Sequence, residues 1–286
     1  MSFQLSTHQL TPPSFSIITI HEESLKTGDL LTCAISSLAD QSSIKSEQIL
    51  QHLGATNNLW SKLSKELPLS KWKQRYTLRL VEEKNVTFNE GLQRALTRAT
   101  GTFVGFLQAE EQYLDGSLLN VEKYFLAHPE IDVLFTGALV YDNSAKKIIP
   151  HPPTSFSLEY LWITEPHFLV STFFFRTSLL KEGFFFDAED KNRMFRKWLL
   201  QLLQAGKKIG TLNIPTTWSL LGSPIDDLQD PVLPQCPKII KILSALWKLQ
   251  HVCRLKKAKR HFLPLMPCRI YQPDSMTERT SPNISE

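Results

Sequence analysis

Two adjacent carboxylates, Glu110 and Glu111, follow directly on the short apolar run Phe103-Val104-Gly105-Phe106-Leu107. A run of that length, rich in β-formers and opened by Gly101, fits a strand buried on both faces of a parallel sheet. Open α/β sheets place their ligands at the carboxyl ends of the strands, where two acids would meet a metal-bound phosphate. The plainer alternative is a solvated acidic turn. A second acidic group, Asp187, Glu189 and Asp190, opens an apolar helical pattern, and Asp187 is a good N-cap for it. The four cysteines, Cys33, Cys236, Cys253 and Cys268, lie far apart without a C-x-x-C pair or histidines at zinc-finger spacing. They imply neither a disulfide framework nor a zinc site.

The elements that must position these acids alternate. Phe15 to Ile20 is apolar throughout and predicts a central strand, followed by a polar turn at His21-Glu22-Glu23-Ser24 and a helix with Leu30, Leu31, Ala34, Ile35 and Leu38 on one face. Glu47 to Leu53 predicts a second strand, Trp60 to Leu67 a polar helix and Tyr76 to Val81 a third strand. Asn89 to Thr100 predicts a helix stopped by Gly101. Beyond the acids, Leu114 to His128 predicts a helix capped by Asp115, and Ile131 to Tyr141 a further strand. From Tyr160 the chain is dense in Phe, Trp and Tyr, which reads first as core and second as an acceptor cleft. A helix from Ala188 to about Ala205, ended by Gly206, precedes a short edge strand from Ile209 to Ile214. Alternating β and α units with short connections predict an α/β, doubly wound sheet with right-handed crossovers.

With 286 residues and 42% hydrophobic content, the chain can bury one large core with appendages. The reading is a leader at 1–12, a main domain at 13–222, a proline-rich linker at 223–237, a basic amphipathic helical extension at 238–271 and a polar, disordered tail at 272–286. A formal charge of +4, with acids and bases interspersed, names no partner. The start of the chain lacks a secretory pattern, and no apolar run approaches the roughly 18 residues that span a bilayer. A soluble cytoplasmic protein is expected, with peripheral contact at the inner face of a membrane through Arg254, Lys256, Lys257, Lys259 and Arg260. A packed helix with a solvated cationic end explains the same residues.

In order and spacing, several segments resemble the family 2 glycosyltransferases of the GT-A fold, over roughly Pro13 to Thr217. Phe15 to Thr19 is similar to the family's opening strand, Ile35 to Gln41 to its first helix ending in DQ, and Glu47 to Asn57 to its second strand and the DGGSTD loop. Phe106 to Leu118, FLQAEEQYLDGSL, resembles FLNSDDLYLPGAL, and Ser171 to Arg176 with Leu179 to Asp187 resembles STFFRRSLLEKVGGFD. The resemblance implies a GT-A-like mixed sheet flanked by helices, with the C-terminal amphipathic helix appended. It also implies a nucleotide-sugar donor, a saccharide or lipid acceptor and a divalent cation, Mn²⁺ or Mg²⁺. By position it assigns donor binding to His52, Asn57, Glu90 and Glu110, and metal binding to Glu110 and Glu111.

The sequence departs from that pattern at the chemistry. His52 replaces an aspartate that meets the nucleotide base, Asn57 replaces a loop aspartate, Glu90 stands where Asp is usual, and Ala109-Glu110-Glu111 replaces SDD. The resemblance places the catalytic base at Asp190, if EDKNRMFRK is matched to EDYDLWLRL. There the helix dipole favours a carboxylate that could deprotonate an acceptor hydroxyl. Matching back from Ala205-Gly206 instead puts Phe195 to Lys197 at that point and removes the base. The expected function is a metal-assisted, inverting glycosyl transfer. A catalytically inactive GT-A-like binding module is the alternative, since fold does not imply function. A nucleic-acid or membrane binder acting through the basic helix is the third and weakest reading, and no nucleic acid is expected as a partner.

Overall fold

The computed structural model describes residues 13–22, 28–41, 43–54, 58–158, 161, 168–187, 194–220 and 270–271. Its first half alternates as expected: β1 (Phe15–Glu22), α1 (Gly28–Ala39), β2 (Ser46–Leu53), α2 (Leu59–Glu66), α3 (Leu69–Trp72), β3 (Tyr76–Glu83), α4 (Phe88–Thr97) and β4 (Phe103–Phe106). The second half contains β5 (Glu111–Tyr113), α5 (Ser117–Ala127), β6 (Val133–Asp142), β7 (Lys147–His151), β8 (Phe173–Arg176), α6 (Ser178–Lys181), α7 (Met194–Gln204) and β9 (Ile209–Leu220). One mixed sheet joins them in the order β3-β2-β1-β4-β8-β6-β9-β5, with β7 pairing antiparallel to the second half of β6. Strands β1 to β4 are parallel, while β8 runs antiparallel to both β4 and β6.

Alternation along the strands divides the core into two layers. On one face Phe15, Ile17, Leu50 and Phe174 meet Leu31, Ile35 and Leu38 of α1, Trp72 of α3 and Phe125 of α5. On the other, Ile18, Ile49, Val104 and Phe173 meet Leu92 and Leu96 of α4 and Trp198 and Leu202 of α7. The described part of the aromatic stretch is mostly core, as its composition suggested: Phe173, Phe174 and Phe175 are all fully buried, and Phe106 stacks on Phe173 at 5.6 Å between ring centroids. Each such side chain removes a large apolar area from water, roughly 1.5–3 kcal/mol apiece.

Four local expectations are corrected. Gly101 does not stop α4, which ends at Thr97 with Arg98 as its cap. The glycine is required by packing, since a Cβ there would stand 2.6 Å from the carbonyl carbon of Phe15. Asp115 is not the cap of α5: Gly116, at φ 72°, holds that position, and Gln41 at the end of α1 reaches across to accept from Leu118 N at 3.3 Å. Ile209 to Ile214 is not an edge strand, because β9 continues through Pro215 to Leu220 and lies between β6 and β5. Gln108 to Glu111 is not wholly loop, because Glu111 opens β5, which pairs antiparallel with β9. Gly206, by contrast, ends α7 as expected, with φ 77° and Lys207 N donating to Leu202 O.

The leader, the linker, nearly all of the basic extension and the tail lie outside the described residues. Ile270 and Tyr271 are described, and they dock on the sheet. Tyr271 N donates to Gln112 Oε1 at 2.7 Å, Gln112 Nε2 donates back to Tyr271 O at 2.8 Å, and Ile270 packs on Leu114, Leu139 and Trp218. No helix among the described residues is long and apolar enough to cross a membrane.

Candidate functional site

The carboxyl edge of β1 to β4 gathers the polar side chains that the sheet does not use for its own packing. In parallel register, His21 of β1 lies beside His52 of β2, and His52 beside Glu82 of β3. Period-two alternation puts all three on the face that carries Leu78 and Leu80 deeper in the sheet. His21 Nδ1 and His52 Nδ1 are 3.0 Å apart, so one proton lies between the rings and one nitrogen accepts from the other. His52 is 1% exposed. Beneath this row a buried chain of hydrogen bonds runs from Tyr76 Oη to Gln48 Oε1 at 2.5 Å and from Gln48 Nε2 to Thr19 Oγ1 at 2.8 Å. Burial away from charge raises the Tyr76 phenol well above its ordinary value. The row therefore rests on a neutral polar layer.

Glu82 and Glu83 end the same strand in different states. Glu83 accepts from Arg98 Nη2 at 2.8 Å and from Arg94 Nη1 at 2.9 Å. Glu82 Oε1 is buried and has no hydrogen-bond partner among the described residues.

After β4 the two predicted metal ligands also diverge. Glu110 is half-buried, its Oε1 is shut from solvent without a partner, and desolvation raises its pKa above the usual carboxylate value. Glu111 is 2% exposed, and its Oε2 accepts the backbone N–H of Gln108 at 3.1 Å, closing the turn that carries Glu110. Tyr113 Oη secures the same turn from below by donating to Phe106 O at 2.7 Å. Among the described residues, no three His, Cys, Asp or Glu side chains gather closely enough to hold a metal ion by themselves.

Glu90, expected among the donor contacts, closes a capping box on α4. Its Oε2 accepts from Thr87 N at 2.8 Å, and its own N–H donates to Thr87 Oγ1 at 3.3 Å. The Thr87 backbone N–H is the main reason its pKa is lowered. Asn57 and Asp190 lie outside the described residues. The described part of the helix expected from Ala188 starts at Met194, and Asp187 pairs with Lys197 at 2.8 Å.

His21 and Glu82 were not among the sequence-derived candidates. The signal for both was available: continuing the alternation Ile17-Thr19-His21 and Leu78-Leu80-Glu82 by one step carries a polar group onto a buried face.

No family model matches the chain, and no curated protein matches it in sequence. Among solved structures, Staphylococcus aureus TarS 1-349 in complex with UDP is similar over 73% of this chain and 60% of that one, at 16% identity and a TM-score of 0.53. A mannosyltransferase from Pyrobaculum calidifontis, PcManGT in complex with GDP-Man and Mn²⁺, is similar over 75% of this chain and 58% of that one, at 15% identity and a TM-score of 0.51. The chain thus spans about three fifths of each neighbour. At such identity the likeness is one of fold. The described residues form a GT-A-like mixed sheet, with His21, His52, Glu82 and Glu110 along the edge where open α/β sheets receive ligands.

Proposed function

We propose that this chain is a glycosyltransferase that moves a sugar from a nucleotide-sugar donor to a saccharide or lipid hydroxyl, with inversion and with a divalent cation. The observation that carries this reading is Glu110, whose buried Oε1 lacks a partner just beyond the central strand of a GT-A-like sheet. A desolvated carboxylate oxygen is costly unless something positive or hydrogen-bonding meets it. Mg²⁺ is commonly held by one or two carboxylates and completed by substrate phosphates and water. Glu110 alone fits that pattern, and Glu111 supports it by holding the turn. Solved neighbours with UDP, or with GDP-Man and Mn²⁺, favour the same type of occupant. When bound, the cation would act as a Lewis acid toward the departing diphosphate.

The remaining roles complete this reading. Glu110, desolvated, binds the cation best once its proton is lost, so donor affinity rises with pH through its raised pKa. Asp190, carried over from the family resemblance, takes the acceptor's proton. The basic residues Lys256 to Arg260 bring the enzyme to an anionic membrane when the acceptor is a lipid.

Calorimetric titration of nucleotide sugars with and without Mn²⁺, against the wild type and Glu110→Gln, tests the reading. Metal-dependent binding that the substitution abolishes is expected. Folded wild-type protein that binds no nucleotide sugar would sink it.

A second reading, a GT-A-like module that binds but does not turn over, is favoured by the engagement of Glu111 with Gln108 and of His52 with His21. Release of the bare nucleoside diphosphate from a bound donor separates the two. Binding without any release, under either metal, selects the module.

A further inference from the structure

Along the carboxyl edge, two carboxylate oxygens are buried and unpartnered, Glu110 Oε1 after β4 and Glu82 Oε1 at the end of β3. The strand order β3-β2-β1-β4 separates them by three strand spacings. At ~4.8 Å per spacing this is about 14 Å, comparable to the reach of a nucleoside diphosphate from its base to its phosphates. One end of that span, at Glu110, has the chemistry of a metal-bound diphosphate. The other end has an acceptor with nothing to accept.

Glu82 is not a generic strand-end acid. Its neighbour Glu83 is engaged by two arginines, so guanidinium groups are present one residue away, yet among the described residues none meets Glu82 Oε1. Alternation keeps it on the other face, in register with His52, which the shared proton with His21 holds in place. A carboxylate can only accept, and an acceptor left dry is costly relative to one that is satisfied. The group that would satisfy it must bring an N–H or an O–H.

We propose that Glu82 is the base-reading residue of the donor site, its carboxylate accepting a ring N–H of the nucleobase while His21 positions His52 beside it. This rests on the nucleotide-sugar reading given above. It further specifies the donor: bases with a lactam N–H, uracil through N3–H and guanine through N1–H, satisfy Glu82. Cytosine N3 and adenine N1 turn a lone pair toward the carboxylate and are disfavoured. The sugar donor is therefore a uridine or guanosine diphosphate derivative.

The test titrates UDP, GDP, CDP and ADP with Mn²⁺ against the wild type, Glu82→Gln and the neighbouring control Glu83→Gln. Circular dichroism checks the fold of each. The wild type should prefer UDP or GDP over CDP and ADP by about tenfold or more, the weight of one charged hydrogen bond. Glu82→Gln can turn its amide to donate, so it should lose most of that preference and gain affinity for CDP, while Glu83→Gln keeps the wild-type order. Should Glu82→Gln fail to fold, Glu82→Asp serves. Its oxygen is withdrawn by one methylene, and it should weaken UDP or GDP about tenfold with CDP unchanged. A wild-type preference that survives Glu82→Gln intact, or a wild type that binds all four equally, overturns the role of Glu82 and leaves the transferase reading standing. Folded wild type that binds none of the four overturns both.

Discussion

At the amino edge of the parallel strands, Glu47 is buried at 3% exposure and surrounded by donors. Its Oε1 accepts from Ser16 Oγ at 2.5 Å and from Thr100 N and Oγ1 at 2.7 Å, and its Oε2 pairs with Arg79 at 3.2 Å. At the carboxyl edge of the same sheet, one and two strand spacings from β2, Glu82 and Glu110 each keep a buried oxygen with no partner among the described residues. The same residue type is thus satisfied at one end of the sheet and keeps an unpartnered oxygen at the other. Satisfied burial tethers Gly101 and Thr100 to β1 and β2, where β4 must begin. Unsatisfied burial lowers stability, and at Glu82 and Glu110 a ligand that supplies the missing partner would recover that loss. The difference separates the scaffold end of the sheet from its working end.

The largest effect expected is at the scaffold end. Glu47→Ala removes the acceptor shared by Ser16 Oγ, Thr100 and the Arg79 guanidinium, and about 3 kcal/mol of stability should be lost, read by urea unfolding. If instead the protein tolerates this change, Glu47 is not what organises the amino edge. Glu110→Gln should act in the opposite direction. The carboxyl pKa is raised in the fold, so the unfolded chain ionises first, and stability falls as pH rises from the ordinary value of 4.5 through the raised one. The amide has no such dependence. The variant should melt higher than the wild type at neutral pH, the gap should close below pH 4.5, and donor affinity should fall about tenfold or more. A lower melting temperature at neutral pH would mean that Glu110 is a structural group.

Much of this architecture was legible beforehand. Apolar runs such as Phe15 to Ile20 and Phe103 to Leu107 are long enough in β-formers, and the 3.6-residue faces of α1 and α4 clear enough, to fix the doubly wound half. β5 escaped notice because three residues, Glu-Gln-Tyr, carry no periodic signal and are ordered by pairing with Thr217 to Ser219 a hundred residues later. β9 was cut short at Pro215 because proline disfavours a central strand, whereas here the register shifts around Gly137 absorb it. Two adjacent acids looked like one metal site. Only the fold shows that Gln108 N–H takes Glu111 and leaves Glu110. Residue types located the edge, but which carboxylate lacks a partner depends on contacts between distant strands.

Smaller changes sharpen the contrast within β3. Glu83→Gln breaks two partly exposed arginine pairs, which at such exposure should lower stability by only about 1 kcal/mol, and it should leave nucleotide preference unchanged. A loss of nucleotide binding in this variant would extend the working end to the arginines and weaken the separation drawn between Glu82 and Glu83.

The smallest effect tests whether Glu90 belongs to the scaffold. Its carboxylate is held below the ordinary range chiefly by the Thr87 backbone N–H, so the folded chain ionises before the unfolded one does. Its contribution is complete above the ordinary value of 4.5 and disappears as pH falls through the lowered one. Glu90→Ala should therefore melt slightly below the wild type at pH 7 and together with it in strong acid, while Thr87→Ala, which removes the other half of the box, should lose about 1 kcal/mol. Donor affinity should be unchanged in both. A variant at Glu90 that melts normally at pH 7 but binds donor tenfold more weakly would move this residue from the helix cap to the ligand, and the working edge would then reach past β3 to the start of α4.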